Sequence, residues 1–168
     1  WQDVLAGHAA RAPDVAATGL RVSRLTYGEL DQLSTRVAEL LTRLGIQSGD
    51  RVALLSPPRA EALITFFACC RIGAVWVGLN PKYKRPEVEY ILGHATPTLL
   101  LSVDVFDSTD YQQLLQEACD ALAPSDRPRT LTFSPESPTV DALIGALTDA
   151  MPTDPAPLLL STADSGAP

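Results

Sequence analysis

The sequence predicts an α/β protein built on a mostly parallel sheet with helices on both faces. Three observations predict it. Helical stripes alternate with short apolar runs along most of the chain. The apolar runs are continuous, as in strands buried on both faces, rather than alternating with polar residues. Glycine and proline punctuate the junctions. Strands that alternate with helices close through β-α-β crossovers around a parallel sheet. At roughly 150 residues per domain, a length of 168 residues reads as a single α/β subdomain covering 1–168.

The elements follow in chain order. Residues 15–24, with a turn at Thr18-Gly19, read as a small hairpin at one edge. Thr26 and Glu29 have the spacing of a capping box, in which hydroxyl and carboxylate each satisfy an orphan backbone N–H; Leu25 and Leu30 flank it as a hydrophobic staple. From there Leu30, Leu33, Val37, Leu40, Leu41 and Leu44 form one apolar stripe, which Gly45 stops. After the Ser48-Gly49-Asp50 turn, Val52-Ala53-Leu54-Leu55 reads as a buried strand.

Ser56 and Pro57 read as the N-cap and first position of a helix running through Ile72, apolar nearly all round and therefore deeply buried. Gly73 ends it in a left-handed or closely packed position, and residues 74–79 read as a second buried strand. Asn80-Pro81 marks a loop; Pro86 opens a helix bearing Val88, Ile91 and Leu92, which Gly93 and Pro97 break before a third strand at 98–101. A helical stripe over 111–122, a strand over 130–133 and a stripe over 140–147 repeat the rhythm. Residues 151–157 read as a linker into a short strand at 158–160 and a small-residue loop ending at Pro168.

Composition excludes several functions. Hydrophobic residues make up 46% and charged residues 20%, which is globular usage. Thirteen Lys and Arg against twenty Asp and Glu leave a net charge of −7, which opposes a nucleic-acid footprint. Arg59, Glu61 and Arg71 interrupt the most hydrophobic stretch, so no membrane span is expected. The N-terminus has no basic region of the signal-peptide kind. Cys69, Cys70 and Cys119 match neither a C-x-x-C pair nor a disulfide framework and read as buried small hydrophobes in a reducing, cytoplasmic compartment. His8 and His94, far apart, are too few for a metal site or a nucleophilic triad and read as surface or helix-end residues. No metal ligand and no catalytic residue is assigned.

Parallel sheets bind ligands at the carboxyl ends of their strands, which directs attention to two loops. Lys82, Lys84 and Arg85, after Asn80-Pro81, form either a solvated surface or an anion site. In the terminal loop, small residues, hydroxyls and glycine let backbone N–H groups approach phosphate oxygens without a Cβ in the way. Neither a Walker pattern nor a G-x-G-x-x-G is present, and a frayed polar terminus is the other reading of the loop.

Taken together, several segments resemble the adenylate-forming superfamily of acyl-CoA synthetases, luciferases and peptide-synthetase adenylation domains. Leu25-Thr26-Tyr27-Gly28-Glu29-Leu30 resembles the family's first core motif, and the eleven residues 71–81, ending in Asn80-Pro81, resemble its second, with Ser48-Gly49-Asp50-Arg51-Val52 between them. Asn80-Pro81 and residues 87–92 are closer to acyl- or aryl-CoA synthetases than to peptide-synthetase domains. Residues 1–168 resemble the N-terminal third of such an enzyme.

The resemblance gives the terminal loop a meaning. The family's phosphate loop has the form T-S-G-[ST]-T-G-x-P-K-G, and Ser161, Thr162, Asp164, Ser165 and Gly166 are the expected nucleotide-binding positions. Two positions depart from the pattern: Ala163 replaces a glycine and Asp164 a hydroxyl residue. A carboxylate about 4 Å from a phosphate is repelled by about 4 kcal/mol at surface-like dielectric unless a cation intervenes. The resemblance implies ATP, Mg2+ and coenzyme A as co-reactants, a small-molecule carboxylate as substrate, and a chain inactive by itself. It leaves a homo-oligomer open. The alternative is a non-catalytic homologue or interaction module with a degenerate ATP loop.

Overall fold

A computed structural model describes residues 1–18, 24–134 and 140–152. Its scaffold is a four-stranded, wholly parallel sheet in the order β2-β1-β3-β6, formed by β1 (Arg51–Leu55), β2 (Val75–Leu79), β3 (Leu99–Val103) and β6 (Arg129–Phe133). Helices α1 (Gln2–Arg11), α2 (Tyr27–Arg43), α3 (Ala60–Ile72) and α6 (Asp141–Asp149) pack on one another, while α4 (Arg85–Ala95) and α5 (Tyr111–Asp120) pack together as a separate layer. The expected α/β architecture, with helices on both faces, is the observed one.

Helix α2 forms for the reasons its sequence advertises. The Thr26 N–H donates to the Glu29 carboxylate at 2.8 Å and the Glu29 N–H donates to Thr26 Oγ1 at 3.2 Å, completing the capping box. At the other end Gly45 adopts φ +92°, and the Gly45 and Ile46 N–H groups donate to the Thr42 and Leu41 carbonyls, the Schellman closure. The buried stripe includes Leu30, Val37, Leu40 and Leu41, each contributing roughly 1.5–3 kcal/mol by leaving water. Helix α1 was not anticipated. It buries only Leu5 and has no side-chain cap, so almost no local signal marks it.

Strands β1 and β3 lie at the centre of the sheet, and residues 52–55 and 99–103 are buried throughout. The Arg51 guanidinium, at the start of β1, donates to the Ala95 carbonyl at 2.9 Å, the Thr96 carbonyl at 2.8 Å and Thr96 Oγ1 at 2.9 Å. It thereby caps the carboxyl end of α4.

Four expectations need correction. Helix α3 begins at Ala60, not at Pro57. Pro58 follows Pro57 and pushes it out of the helical region, so residues 56–59 form a loop. Nor is α3 buried all round, because Leu63 is exposed and Phe66, Phe67 and Cys70 are half-buried; it lies in an outer layer and shows one side to solvent. Strand β2 pairs only with β1 among the described strands and exposes Val75, since an apolar run signals a strand without giving its place in the sheet. Gly93 stays inside α4, which ends at Thr96 (φ +40°) ahead of Pro97. One glycine costs a helix only about 1 kcal/mol, whereas the Pro97 ring forbids helical geometry before it.

The flanks of the expected early hairpin do meet, with Ala16 bridging Thr26 and the Ala17 N–H donating to the Leu25 carbonyl at 2.7 Å. Its Thr18-Gly19 turn, most of the 151–157 linker, the 158–160 strand and the 161–168 loop extend outside the described residues. A two-stranded hairpin, β4 (Val105–Phe106) and β5 (Thr109–Asp110), was also unanticipated; Asp107 and Ser108 take φ values of +49° and +62° to turn it.

Gly73 closes α3 with φ +73°, and a Cβ there would lie 2.6 Å from Ser48 Oγ. Ser48, Gly49 and Gly73 meet there, the Gly49 N–H donating to the Gly73 carbonyl at 2.9 Å. A β-branched residue is strained in the left-handed region on any packing. Gly73→Val is therefore expected to lower unfolding free energy by more than about 1 kcal/mol; an unchanged thermal midpoint would contradict this.

Candidate functional site at the carboxyl ends of the strands

The order β2-β1-β3-β6 has a consequence for ligand binding. From β1 the chain crosses to one neighbour, β2, and returns past β1 to the other, β3. Such a reversal opens a crevice at the carboxyl ends of the two central strands, where doubly wound sheets hold ligands. Three loops surround it: residues 56–59 after β1, residues 80–84 after β2 and the β4–β5 hairpin after β3.

The first loop carries a buried ion pair that sequence reasoning missed. Arg59 Nε and Nη2 meet the Glu61 carboxylate at 3.0–3.3 Å, with both side chains almost wholly buried. Two opposite charges opening an apolar helix were the available signal. Ser56, also buried, donates to the Pro57 carbonyl at 3.0 Å.

The second loop is organised by its own backbone. Asn80 Oδ1 accepts from the Lys82 N–H at 2.9 Å, the Asn80 carbonyl accepts from the Tyr83 N–H at 2.9 Å, and the Glu87 carboxylate accepts from the Lys84 N–H at 2.6 Å. The three basic residues separate in role. All three are exposed, but Arg85 pairs with Glu89 at 2.8 Å and Glu117 at 3.5 Å, whereas Lys82 and Lys84 form no ion pair among the described residues. Tyr111, which opens α5, ties this loop to the third by donating its hydroxyl to the Pro81 carbonyl at 3.1 Å. Burial, and then the nearby Asp107 charge, raise the Tyr111 phenol above its usual pKa.

Between the first two loops lies a cavity of about 500 Å³, lined by Leu54, Ser56, Pro58, Trp76, Leu79 and Lys82 among others. Ser161, Thr162, Asp164, Ser165 and Gly166 lie outside the described residues. Among the described residues no group of three or more His, Cys, Asp or Glu side chains could hold a metal ion. His8 and His94 sit exposed in the last turns of α1 and α4, as expected. Cys69 is buried, whereas Cys70 and Cys119 are only half-buried, a partial correction to the expectation for all three. No described helix is long and apolar enough to cross a membrane.

Comparison with known proteins identifies the lineage of this scaffold. The model of the AMP-binding enzyme family matches residues 5–158. The chain belongs to that family. A long-chain-fatty-acid–CoA ligase, FadD13 of Mycobacterium tuberculosis, is 45% identical over 69 residues, covering 41% of this chain and 14% of that protein. The phosphinothricin tripeptide synthetase PhsC of Streptomyces viridochromogenes is 34% identical over 134 residues, covering 74% of this chain and 12% of that protein. The crystal structure of the N-terminal domain of FACL13 from Mycobacterium tuberculosis superposes with a TM-score of 0.70 at 26% identity, covering 94% of this chain and 38% of that one. The chain thus spans well under half the length of these relatives and corresponds to the N-terminal part of AMP-forming ligases.

Two outcomes are expected from these geometries. Glu61→Leu takes the carboxylate at 3.0 Å away from the buried Arg59 guanidinium and should cost about 3 kcal/mol, and adding Arg59→Met should recover much of it. Urea midpoints of single and double variants measure this; equal losses would show that the two side chains do not act as a pair. Cys69 loses its proton at higher pH than an exposed thiol: burial, and then Cys70, push it from 9.0 up to about 12. The fold favours the neutral thiol, so this stabilisation is complete below pH 9.0 and disappears as pH rises toward about 12. Over that window wild type should lose more stability than Cys69→Ala, read as the difference in their urea midpoints.

Proposed function

We propose that residues 1–168 are the N-terminal part of a cytoplasmic, ATP-dependent acyl-CoA synthetase, which activates a small-molecule carboxylate as its adenylate and passes the acyl group to coenzyme A. The family match over residues 5–158 carries the reading, because it joins both core motifs and the Ser48-to-Val52 block in one ordered scaffold. The acyl-CoA branch is favoured by Asn80-Pro81 at the end of the second motif and by residues 87–92.

In this reading the described residues are scaffold. Arg51 and the capping box hold helices in place, and no general base is assigned. The loop after residue 160 would contact the nucleotide: the Ser161, Thr162 and Ser165 hydroxyls and the Gly166 N–H are donors suited to phosphate oxygens. ATP supplies the electrophilic phosphorus, and Mg2+ the positive charge that phosphates and a carboxylate both attract. Asp164 is the one residue in the loop whose charge opposes the ligand. Together with Ala163 it favours the second reading, a non-catalytic homologue that retains the fold for interaction.

Titration calorimetry of the full-length protein with ATP, with and without Mg2+, decides between them. Asp164→Thr removes a like charge and adds a donor, so ATP should bind about tenfold more tightly, equivalent to about 1.4 kcal/mol. If Asp164 instead helps to hold Mg2+, the substitution should weaken binding only when the metal is present. Identical affinities under both conditions would remove the loop from the phosphates and leave the non-catalytic reading in place.

A further inference from the structure

The loop after β2 concentrates one kind of nucleophile. Lys82 and Lys84 are the only lysines among the thirteen Lys and Arg residues of the sequence. A guanidinium stays protonated, so these two alone can present a side-chain amine. Lys82 lines the cavity of about 500 Å³ at the carboxyl ends of the strands, and Lys84 does not. Asn80 holds the intervening backbone, accepting from the Lys82 and Tyr83 N–H groups at 2.9 Å each. Trp76 lies over Gly78, where a Cβ would come within 2.4 Å of its ring, and with Leu54 and Leu79 it keeps the lining apolar. No carboxylate there competes for the lysine, which is exposed and forms no ion pair among the described residues.

The other nucleophilic groups nearby are occupied or turned away. Ser56 is buried and donates its hydroxyl to the Pro57 carbonyl, and Tyr111 donates its own to the Pro81 carbonyl. Cys69 and Cys70 lie in the last turn of α3, and Cys119 in the last turn of α5. Both helices run from the carboxyl end of one strand toward the amino end of the next, which carries the three thiols away from the crevice.

We propose that Lys82 is an acyl-acceptor site, modified by an acyl-adenylate held in the crevice at the carboxyl ends of the strands. The inference rests on the adenylate-forming reading above. An acyl-adenylate is a mixed anhydride that acylates amines, and a lysine held beside it gains from proximity. The ammonium first gives one proton to water. The amine then attacks the acyl carbon: the N–C bond of the amide forms, the C–O bond to the phosphate breaks, AMP leaves with the electron pair, and a second proton passes from nitrogen to water. The product has lost the one charge among the residues lining the cavity.

The test uses the full-length protein and preformed acetyl-adenylate, so labelling does not depend on the protein's making that reagent. The comparison reagent is the N-hydroxysulfosuccinimide ester of acetate, which carries the same acyl group without adenosine. Cleavage after Glu61 and Glu87 releases residues 62–87, which contain both lysines, and mass spectrometry reads the acetyl group on each. Acetyl-adenylate should modify Lys82 about tenfold faster than Lys84, a barrier difference of about 1.4 kcal/mol, whereas the ester should modify both exposed lysines alike. Lys82→Arg keeps the charge at an exposed position, so it should leave the thermal midpoint in place and remove the main adduct. Equal labelling of the two lysines by acetyl-adenylate, or the same preference with both reagents, would overturn the proposal. Calorimetry with ATP separates the two readings: no ATP binding with selective labelling removes the ATP-dependent reading alone, and ATP binding without selective labelling removes this inference alone.

Discussion

Strand β1 is hydrogen-bonded along both edges, in parallel, to β2 on one side and β3 on the other. Everything else follows from that pairing. Parallel neighbours cannot be joined by tight turns, so the chain must leave the sheet and return through α3 and then α4. The same strand begins with Arg51, whose guanidinium satisfies carbonyls at the end of α4 and so fixes the second crossover to the first strand. The first crossover is fixed nearby, where the Val75 N–H donates to the Asp50 carbonyl at 2.7 Å. The amino end of the sheet is thus tied by main-chain groups and by the guanidinium groups of Arg51 and Arg129, the latter donating to the Ala150 carbonyl.

The opposite end is arranged differently. There the loops are held by local hydrogen bonds, by the buried Arg59–Glu61 pair and by the Tyr111 hydroxyl reaching across to Pro81. A buried ion pair is weak evidence of stability, since apolar replacements often serve as well. Here it joins the last residue of the loop after β1 to the first turn of α3, beside the crevice. Main-chain and arginine ties to the crossovers gather at the amino ends of the strands, and the cavity of about 500 Å³ opens at the carboxyl ends.

Charge shows how poorly linear clustering predicts a site. Lys82, Lys84 and Arg85 fall within four residues, yet Arg85 turns to Glu89 and Glu117 and only Lys82 lines the cavity. The partner that separates them, Glu117, is 32 residues from Arg85, brought close by the packing of α4 on α5. Local sequence lists the charges, and tertiary packing decides which of them are engaged.

The sequence by itself determined the class of the fold, the capping box and stripe of α2, the buried strands β1 and β3 and the left-handed role of Gly73, because each depends on residues within a turn or two of one another. The family, too, was legible, in the ordered motifs of residues 25–30 and 71–81. What only the tertiary structure decided was position. It left β2 with a single partner among the described strands, started α3 at Ala60, joined Arg59 to Glu61 in a buried pair and set Trp76 over Gly78 to wall a cavity. Helix α1 belongs with these, since one buried leucine has no periodicity to detect and its contacts with α2 and α3 hold it in place. Periodicity records how each segment meets water and core on its own; order within a sheet, edge exposure and cavities arise from contacts between segments far apart in the chain.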